Sequence, residues 1–208
     1  MLIRLIRLFS YSSAILFSVA AIADEIDPRL QARFDHELEY FGTRKHEEVW
    51  IKANQGDAEA QNRMGENYAS LLTNYNDYKV AFKWFTKAVE QDHSEAQYNL
   101  ADLYAFGKGI PANDQIAFNL YLKSAKQGND DAQFEVGYLY DKGLGVLQDK
   151  GRSYAWYSIV KANNKFKVQT DAAKRHMERI REEMTKQQLT EAQTLAAKCY
   201  ESNYKDCD

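Results

Sequence analysis

The 208-residue sequence contains little proline, with Pro28 and Pro111 as its two copies. Tyr, Ala, Gln, Lys and Glu are plentiful instead. A sandwich of many short strands needs turns at close intervals, and this composition disfavours it. We therefore predict an all-α protein.

An excess of positive charge is lacking as well. The chain carries 30 acidic residues against 27 Lys and Arg, for a formal net charge of −3. Proteins that bind nucleic acid place basic surfaces against the phosphate groups. We therefore expect no nucleic-acid partner.

The N-terminal residues have the order of a secretory signal. Arg4 and Arg7 precede a mostly apolar stretch from Leu8 to Ala23, which ends in small residues. This order predicts a signal peptide over residues 1–23, cut after Ala23. The alternative is an uncleaved anchor, but about 16 residues are fewer than the roughly 20 that span a bilayer as a helix. We expect a bacterial protein in the periplasm or secreted, with no stable membrane insertion after cleavage.

Cysteine is scarce, and its two copies, Cys199 and Cys207, lie near the C-terminus. In an exported chain an even number of cysteines predicts one disulfide. Closing so short a loop stabilises the fold by about 2–3 kcal/mol and fixes the tail. The alternative, a redox-active pair, favours CxxC spacing, which these residues lack.

An internal repeat organises the rest of the chain. EAQYNLADLYAFGKGI at 95–110 is nearly repeated by DAQFEVGYLYDKGLGV at 131–146. An Ala-Gln pair recurs at 60, 96 and 132, with a period of 36 residues. Three further sets recur, namely Met64, Leu100 and Val136; Gly65, Ala101 and Gly137; Tyr68, Tyr104 and Tyr140. Their steps of four, one and three residues predict one face of a helix, with a small residue for close approach.

A second helix follows each turn with the same period. Its recurring positions are Ala81, Ala117 and Ser153; Trp84, Leu120 and Trp156; Phe85, Tyr121 and Tyr157. Upstream, KANQGD at 52–57 matches KSAKQGND at 123–130, which predicts a degenerate unit with a second helix near His46 to Asn54. One such helical pair cannot enclose a core, so stacked pairs should bury aromatic residues between neighbours. We expect Tyr68, Trp84, Tyr104, Leu120, Tyr140 and Trp156 to be buried in this way.

The pattern AQxxxGxxY, a GxG(V/I) turn and a Trp/Tyr-Ala helix that ends in QG resembles the Sel1-like repeat, a relative of the tetratricopeptide repeat. The resemblance implies an α/α solenoid that makes protein contacts, in exported bacterial proteins among others. It divides the chain into an N-terminal helical cap with a degenerate repeat (24–56), three repeats (57–93, 94–129, 130–164) and C-terminal capping helices with a tail (165–208). The first repeat departs from the pattern, because Leu71 and Thr73 replace the turn glycines.

Two amphipathic segments are expected to close the stack. In the first, Ala173, Met177, Ile180 and Met184 share one stripe, with Thr170 or Asp171 able to cap its start. In the second, Thr185 and Gln188 have capping-box spacing, and Leu189, Ala192, Leu195, Ala196 and Cys199 face inward.

Signatures of catalysis or cofactor binding are absent from the sequence. Gly107-Lys108-Gly109 follows a helix and no GK[ST] occurs, so these glycines are interpreted as turns between helices. His46-Glu47-Glu48 begins like HExxH, but Trp50 takes the place of the second histidine that zinc requires. We expect no metal, no cofactor and no catalytic residue.

A partner is expected in the concave groove that first helices line in solenoids of this type. The stripe opposite the buried one consists of Glu59, Asn62, Glu66, Glu95, Tyr98, Asp102, Phe106, Asp131, Phe134, Tyr138 and Asp141. Its acidic and aromatic character suits a basic or aromatic peptide. The alternative is that Tyr98 and Phe134 pack at an interface between helices.

The leading hypothesis is an exported adaptor that binds another protein or peptide, with an immunity or inhibitor protein as a narrower form. The alternative is a cell-envelope enzyme or a protein of the Sel1-like type that binds peptidoglycan fragments or β-lactams. The proteins of that type have a cysteine pair in every repeat, and this chain does not. A purely structural role in an envelope assembly is a third hypothesis.

Overall fold

A computed structural model describes residues 44–70, 75–163 and 165–207. The predicted signal peptide and residues 24–43 of the predicted N-terminal cap lie outside the described residues. The chain divides into two compact units, residues 1–50 and 51–208. Of the first unit, the structure describes the beginning of one helix.

The described residues contain nine α-helices and no strand, which confirms the all-α prediction. The helices are α1 (Arg44–Asn54), α2 (Ala58–Ser70), α3 (Tyr75–Val89), α4 (Ser94–Phe106), α5 (Asp114–Lys126), α6 (Asp130–Lys142), α7 (Lys150–Asn163), α8 (Lys167–Glu182) and α9 (Lys186–Glu201). Helix α1 covers the segment for which a degenerate second helix was expected. None of the described helices is long and apolar enough to cross a membrane.

The helices of the second unit form a stack of hairpins. The pairs α2–α3, α4–α5 and α6–α7 pack within themselves, and each second helix packs against the first helix of the next pair. Helices α8 and α9 both pack against α7. These two helices therefore cover the last hairpin.

Most of the aromatic residues predicted for the core are buried between helices. Trp84 and Trp156 are 2% and 0% exposed, and Tyr68 and Tyr140 are buried as well. The expectation is wrong in degree for two positions, because Tyr104 and Leu120 are only partly buried at the edge of the core. Tyr104 packs there against Phe82, with ring centroids 6.0 Å apart.

The small residues of the first helices admit rings from the second helices. A Cβ at Gly65 would lie 2.9 Å from Cζ of Phe85. A Cβ at Gly137 would lie 3.1 Å from the ring of Tyr157. The predicted close approach is therefore confirmed, and a ring fills the space that a side chain would need.

The glycines of the turns adopt left-handed backbone conformations. Gly107 and Gly143 end α4 and α6 in the left-handed conformation, with φ of 64° and 69°. Gly145, also at positive φ (67°), lies against the start of α5, where a Cβ would be 2.8 Å from the backbone N of Gln115. This loop thus packs on the preceding hairpin, as a turn between helices and without the strand that a phosphate loop requires.

A buried glutamine bridges each hairpin internally. The side-chain oxygens of Gln61, Gln97 and Gln133, which come from the recurring Ala-Gln pairs, accept from the amides at the ends of the second helices. The donors are Gln91 at 2.8 Å, Gln127 at 2.8 Å and Asn163 at 2.9 Å.

The same glutamines reach the preceding second helix with their amide nitrogens. Gln61 donates to the carbonyl of Ala53 at 3.1 Å, and Gln133 to the carbonyl of Ala125 at 3.2 Å. In the second repeat Gln97 donates instead to Oδ1 of Asp92 at 2.7 Å. One side chain therefore links two helices of its own repeat to the repeat before it.

Charged hydrogen bonds attach the first capping helix to the last hairpin, and a capping box begins the second capping helix. The buried carboxylate of Asp141 accepts from Lys150 Nζ at 2.8 Å and from Arg179 of α8. Thr185 and Gln188 form the predicted capping box, in which Thr185 Oγ1 accepts from the Gln188 N–H at 3.2 Å.

The predicted start of the first capping helix is wrong. Helix α8 begins at Lys167 after Phe166, which makes no side-chain capping bond. Thr170 is buried inside the first turn instead of standing before it, because the helix starts four residues earlier than a cap at Thr170 indicates and five earlier than one at Asp171.

Substitution of Gly145 by alanine is expected to destabilise the protein. Its left-handed backbone and its contact with Gln115 leave no room for a methyl group, so the free energy of unfolding should fall by about 1–3 kcal/mol. Urea unfolding followed by circular dichroism measures the change. Gly151→Ala, inside α7, is the control and should leave stability unchanged or slightly higher; equal losses in the two variants would contradict this explanation.

Substitution of Gln133 by methionine is expected to lower the free energy of unfolding by about 2–4 kcal/mol. Methionine has nearly the same volume, but it can neither donate to the carbonyl of Ala125 nor accept from the amide of Asn163. The control is Gln187→Met, an exposed residue of α9 that bonds only Glu191 at 3.0 Å. It should change stability by less than about 0.5 kcal/mol. Unfolding midpoints in urea that coincide for both variants would rule out the bridging role of Gln133.

Candidate interaction face

The predicted groove residues lie on α2, α4 and α6, and we call these eleven positions the first-helix face. Glu59, Glu66 and Phe106 are exposed. Partly buried members are Glu95, Tyr98, Asp102, Asp131, Phe134 and Tyr138. Asn62 and Asp141 are buried, at 2% and 0% exposure. The exposed and partly buried members form the surface that a partner can contact.

The acidic residues of the first turns contact the next repeat. Glu59 Oε2 lies 3.1 Å from His93 Nε2, and Glu95 Oε2 accepts from Asn129 Nδ2 at 2.7 Å. Asp131, the third of this series, accepts from the side-chain amide of Gln169 in α8. These carboxylates thus contribute to joining the helices of the stack.

Two partners of these carboxylates, His93 and Asn129, also cap helices; a surface or capping role was expected for His93, whereas the caps Asn129 and Asp57 were not predicted. His93 Nδ1 accepts from the N–H of Ala96 at 3.2 Å, and Asn129 Oδ1 from that of Ala132 at 2.8 Å. Asp57 occupies the equivalent position and accepts from Ala60 at 2.7 Å. The sequence signal for these caps is that Asp57, His93 and Asn129 recur with the period of 36 residues, since Asp and Asn are favoured at the N-cap of a helix.

Two residues assigned to the open groove are buried, so the expectation that they face a partner is corrected. Asn62 donates to Glu66 at 2.9 Å and accepts from Asn99 of the next repeat at 3.0 Å. Asp141 lies one position off the stripe and is surrounded by cations. Although burial opposes its charge, hydrogen bonds from Arg179 and Lys150 outweigh burial and hold its pKa below the ordinary value.

The aromatic residues of the first-helix face rest on rings of the second helices. The Tyr98 ring contacts Tyr121 at a centroid distance of 5.7 Å, and the Phe134 ring contacts Tyr157 at 5.3 Å. Phe134 also contacts His176 of α8 at 5.9 Å. Tyr98 and Phe134 are therefore rigidly supported, yet each keeps part of its surface in solvent.

The carboxylates around Tyr98 perturb one another. Asp102, whose carboxylate accepts from the hydroxyl of Tyr121, has a pKa raised mainly by burial. Burial, followed by the charges of Asp102 and Asp131, raises the pKa of Glu135 to about 7. The sequence analysis did not select Glu135, because it lies beside the stripe and its equivalents, Arg63 and Asn99, differ in charge.

A cavity of about 280 Å³ opens beside this acidic region, between the first and second repeats. Glu66, Asn99 and Asp102 supply its polar wall, and Phe85 and Leu103 part of its apolar wall. The exposed ring of Phe106 lies beyond it, with Lys108 Nζ 5.0 Å from the ring centroid. Among the described residues, no group of three or more His, Cys, Asp or Glu side chains is arranged to hold a metal ion.

The two cysteines lie away from this face, in the core beneath the C-terminal tail. Cys199 and Cys207 have Cα atoms 4.5 Å apart and are placed to form a disulfide. Both are buried with Phe118, Trp156 and other core residues. The tail is thereby held against the second and third repeats, as expected.

Comparison with known proteins identifies the repeats. The family model described as Sel1 repeat matches residues 58–93, 94–129 and 130–159. No curated protein matches the chain. Sel1 repeats generally mediate protein–protein interactions, and the family typically consists of non-catalytic helical scaffolds.

Two solved structures are similar to this chain. One is a protective antigen present in uropathogenic Escherichia coli strains, with an SLR fold, 30% identity and a TM-score of 0.68. The match covers 78% of this chain and 34% of the antigen, so this chain spans about a third of its length. The other is a Sel1 repeat protein from Oxalobacter formigenes, with 27% identity, a TM-score of 0.55, and coverage of 65% of this chain and 98% of the other. Residues 58–159 of this chain thus form three consecutive Sel1 repeats.

Proposed function

We propose that this protein is an exported adaptor that binds another protein or peptide through the first-helix face. The observation that carries the proposal is the pair of half-buried rings, Tyr98 and Phe134, held 36 residues apart among carboxylates. Rigid aromatic residues contribute much of the binding energy at protein interfaces because ordering them on binding costs little entropy.

The three Sel1 repeats support the same class of function, since such repeats generally mediate protein–protein interactions. An immunity or inhibitor protein, which blocks a toxin or a lytic enzyme, is a narrower form of this proposal. A gene for the target beside the gene for this chain would favour that form.

Export is supported by two features. The order of residues 1–23 is that of a signal peptide, and the buried cysteine pair suits an oxidising compartment.

The proposal is tested by altering exposed or partly exposed residues of the first-helix face. In the triple variant Glu66→Gln, Tyr98→Ala, Phe106→Ala, partner recovery should fall at least tenfold, because an aromatic anchor typically contributes 2 kcal/mol or more. Recovery is measured by cross-linking the tagged protein in the bacterial envelope fraction, followed by quantitative mass spectrometry. Binding of each recovered protein is then measured with purified components.

The matched control places the same kinds of change on the capping helices: Glu182→Gln, Val168→Ala and Tyr200→Ala, all at exposed positions. The control should unfold at a urea concentration close to that of the unaltered protein. The face variant loses the contact of Tyr98 with Tyr121 and should be less stable, so its folded state at the assay temperature is checked by circular dichroism. A partner recovered equally by all three proteins does not bind the first-helix face, and the proposal would then be wrong.

A further inference from the structure

The glycine turns of the second and third repeats pack on the hairpin before them. A Cβ at Gly109 would lie 2.8 Å from the backbone N of Lys79 in α3, and a Cβ at Gly145 would lie 2.8 Å from the backbone N of Gln115 in α5. Lys79 and Gln115 are equivalent positions, 36 residues apart. In both contacts the second glycine of the turn meets the backbone of a second helix near its start, where a side chain does not fit.

The equivalent position of the third repeat is Gly151 in α7, but no such turn follows it. The sequence contains no glycine after Gly151. Helices α8 and α9 are joined by residues 183–185, whereas residues 107–113 and 143–149 form longer turns in the second and third repeats. Within the described part of the chain, α7 therefore lacks the contact that α3 and α5 each make with a glycine turn.

A cavity of about 580 Å³ lies where the next turn would pack, and we call it the turn cavity. The start of α7, including Gly151, forms one side, and Met184, Ala192 and Leu195 supply apolar surface on the other. Outside its own helix backbone, a Cβ at Gly151 would meet a single described atom within 4 Å, Oδ1 of Asp149 at 3.3 Å. Cavities of roughly 300–1,000 Å³ accommodate ligands, so several residues of a peptide chain fit here.

The charged residues of the turn cavity largely neutralise one another. Arg152 Nη1 lies 3.2 Å from Oδ2 of Asp149, and Lys150 Nζ lies 3.1 Å from Oε2 of Glu183. The remaining carboxylate of the lining, Glu191, is exposed to solvent. A charged segment would lose hydration in this cavity without gaining a free counter-ion. The lining therefore favours an uncharged segment.

The turns within the chain indicate which uncharged segment fits. Each has its second glycine at positive φ, with 72° at Gly109 and 67° at Gly145. An aliphatic residue, Ile110 or Val146, follows that glycine, and Val146 packs at the edge of the core. The apolar side of the turn cavity offers an aliphatic side chain a similar contact.

We infer that the turn cavity binds a Gly-x-Gly-(Ile/Val) segment of another protein. The second glycine lies against Gly151, as Gly145 lies against Gln115, and the aliphatic residue packs on the apolar side of the cavity. The bound segment continues the contact that joins successive repeats inside the chain. No residue of the first-helix face lines the turn cavity, so this inference does not depend on the proposed function.

A second copy of this chain is a poorer occupant. Its two glycine turns already pack on its own α3 and α5. Its first repeat has Leu71 and Thr73 where the other repeats have turn glycines. A partner with an exposed glycine turn, or with an unfolded segment of this composition, meets no such competition.

The probe for the turn cavity is a peptide with the sequence of residues 141–149, DKGLGVLQD, with both ends blocked. Titration of the isotope-labelled protein, followed by NMR, should show saturable amide shifts at the residues that line the cavity. The dissociation constant should be on the order of 1 mM, because a short flexible peptide is ordered on binding. The same peptide with Gly145→Ala should bind at least fivefold more weakly, since its methyl group meets the backbone of α7. Absence of saturable shifts at the cavity, or equal affinity of the two peptides, would overturn the inference.

A substitution that fills the cavity gives an independent test. Gly151→Trp places a ring in the space beside α7, so affinity for the peptide should fall at least tenfold. The unfolding midpoint in urea should not fall, because the position is open and glycine is unfavourable inside a helix. The control Gln193→Trp, at an exposed position of α9 outside the lining, should change the affinity less than twofold. Undiminished binding to Gly151→Trp, or an equal loss in the control, would refute the site. The alanine peptide examines the same contact on the unaltered protein, and its result does not depend on the folding of either variant.

Sedimentation of the protein at the same concentrations distinguishes a foreign segment from a second copy. A monomer is expected. A dimer that Gly151→Trp abolishes and Gln193→Trp retains would assign the cavity to a second copy and would overturn the inference. The Glu66, Tyr98 and Phe106 variant should bind the peptide as the unaltered protein does, because its changes lie on the other surface.

Discussion

The buried amide of one glutamine per repeat is the interaction on which the stack depends. An amide offers a donor and an acceptor, and burial makes it costly to leave either unsatisfied. In each repeat the amide oxygen accepts from a side chain at the end of the repeat's own second helix. In the first and third repeats the amide nitrogen donates to a carbonyl at the end of the preceding second helix. The last carbonyls of a helix have no partner within it, so the contact also serves the helix end. A change in register between repeats would break these bonds together.

The second repeat meets the same requirement with different atoms. Gly56 and Gly128 adopt positive φ three residues after Ala53 and Ala125, the carbonyls that accept from the glutamines of the first and third repeats. Asp92 holds the equivalent position with φ of 62°, a conformation that Asp tolerates better than most residues. Its carboxylate then accepts the bond from Gln97. The geometry of the bridge is therefore retained while its chemistry varies.

Sequence periodicity predicted the features that depend on position within one helix. Most of the inward stripe, the close approach at Gly65 and Gly137, and the capping box at Thr185 and Gln188 were predicted correctly, because each depends on residues a few positions apart. The predicted cap of α8 was wrong because a capping pattern alone cannot tell whether a helix already began upstream.

The interaction face was harder to predict because its properties depend on neighbouring repeats. Asp141 was assigned to the surface, yet Arg179, 38 residues later, makes its burial possible. Glu135 was missed partly because one of the charges around it, that of Asp102, belongs to another repeat. The stripe of one helix indicates in which direction its side chains point, whereas the charge around a side chain depends on several helices packed together. Differences between otherwise similar repeats carry information that the shared pattern does not.

Asn163 connects the C-terminal tail to the repeat array. Its amide nitrogen donates to Asp130 at 3.0 Å and to Gln133 at 2.9 Å, and its oxygen accepts from the hydroxyl of Tyr204 at 3.1 Å. Tyr204 belongs to the segment closed by Cys199 and Cys207. One side chain thus joins the segment between the two cysteines to the first residue of α6 and to the buried glutamine of the third repeat. The attachment of the C-terminal tail therefore belongs to the same set of hydrogen bonds that holds the third hairpin together.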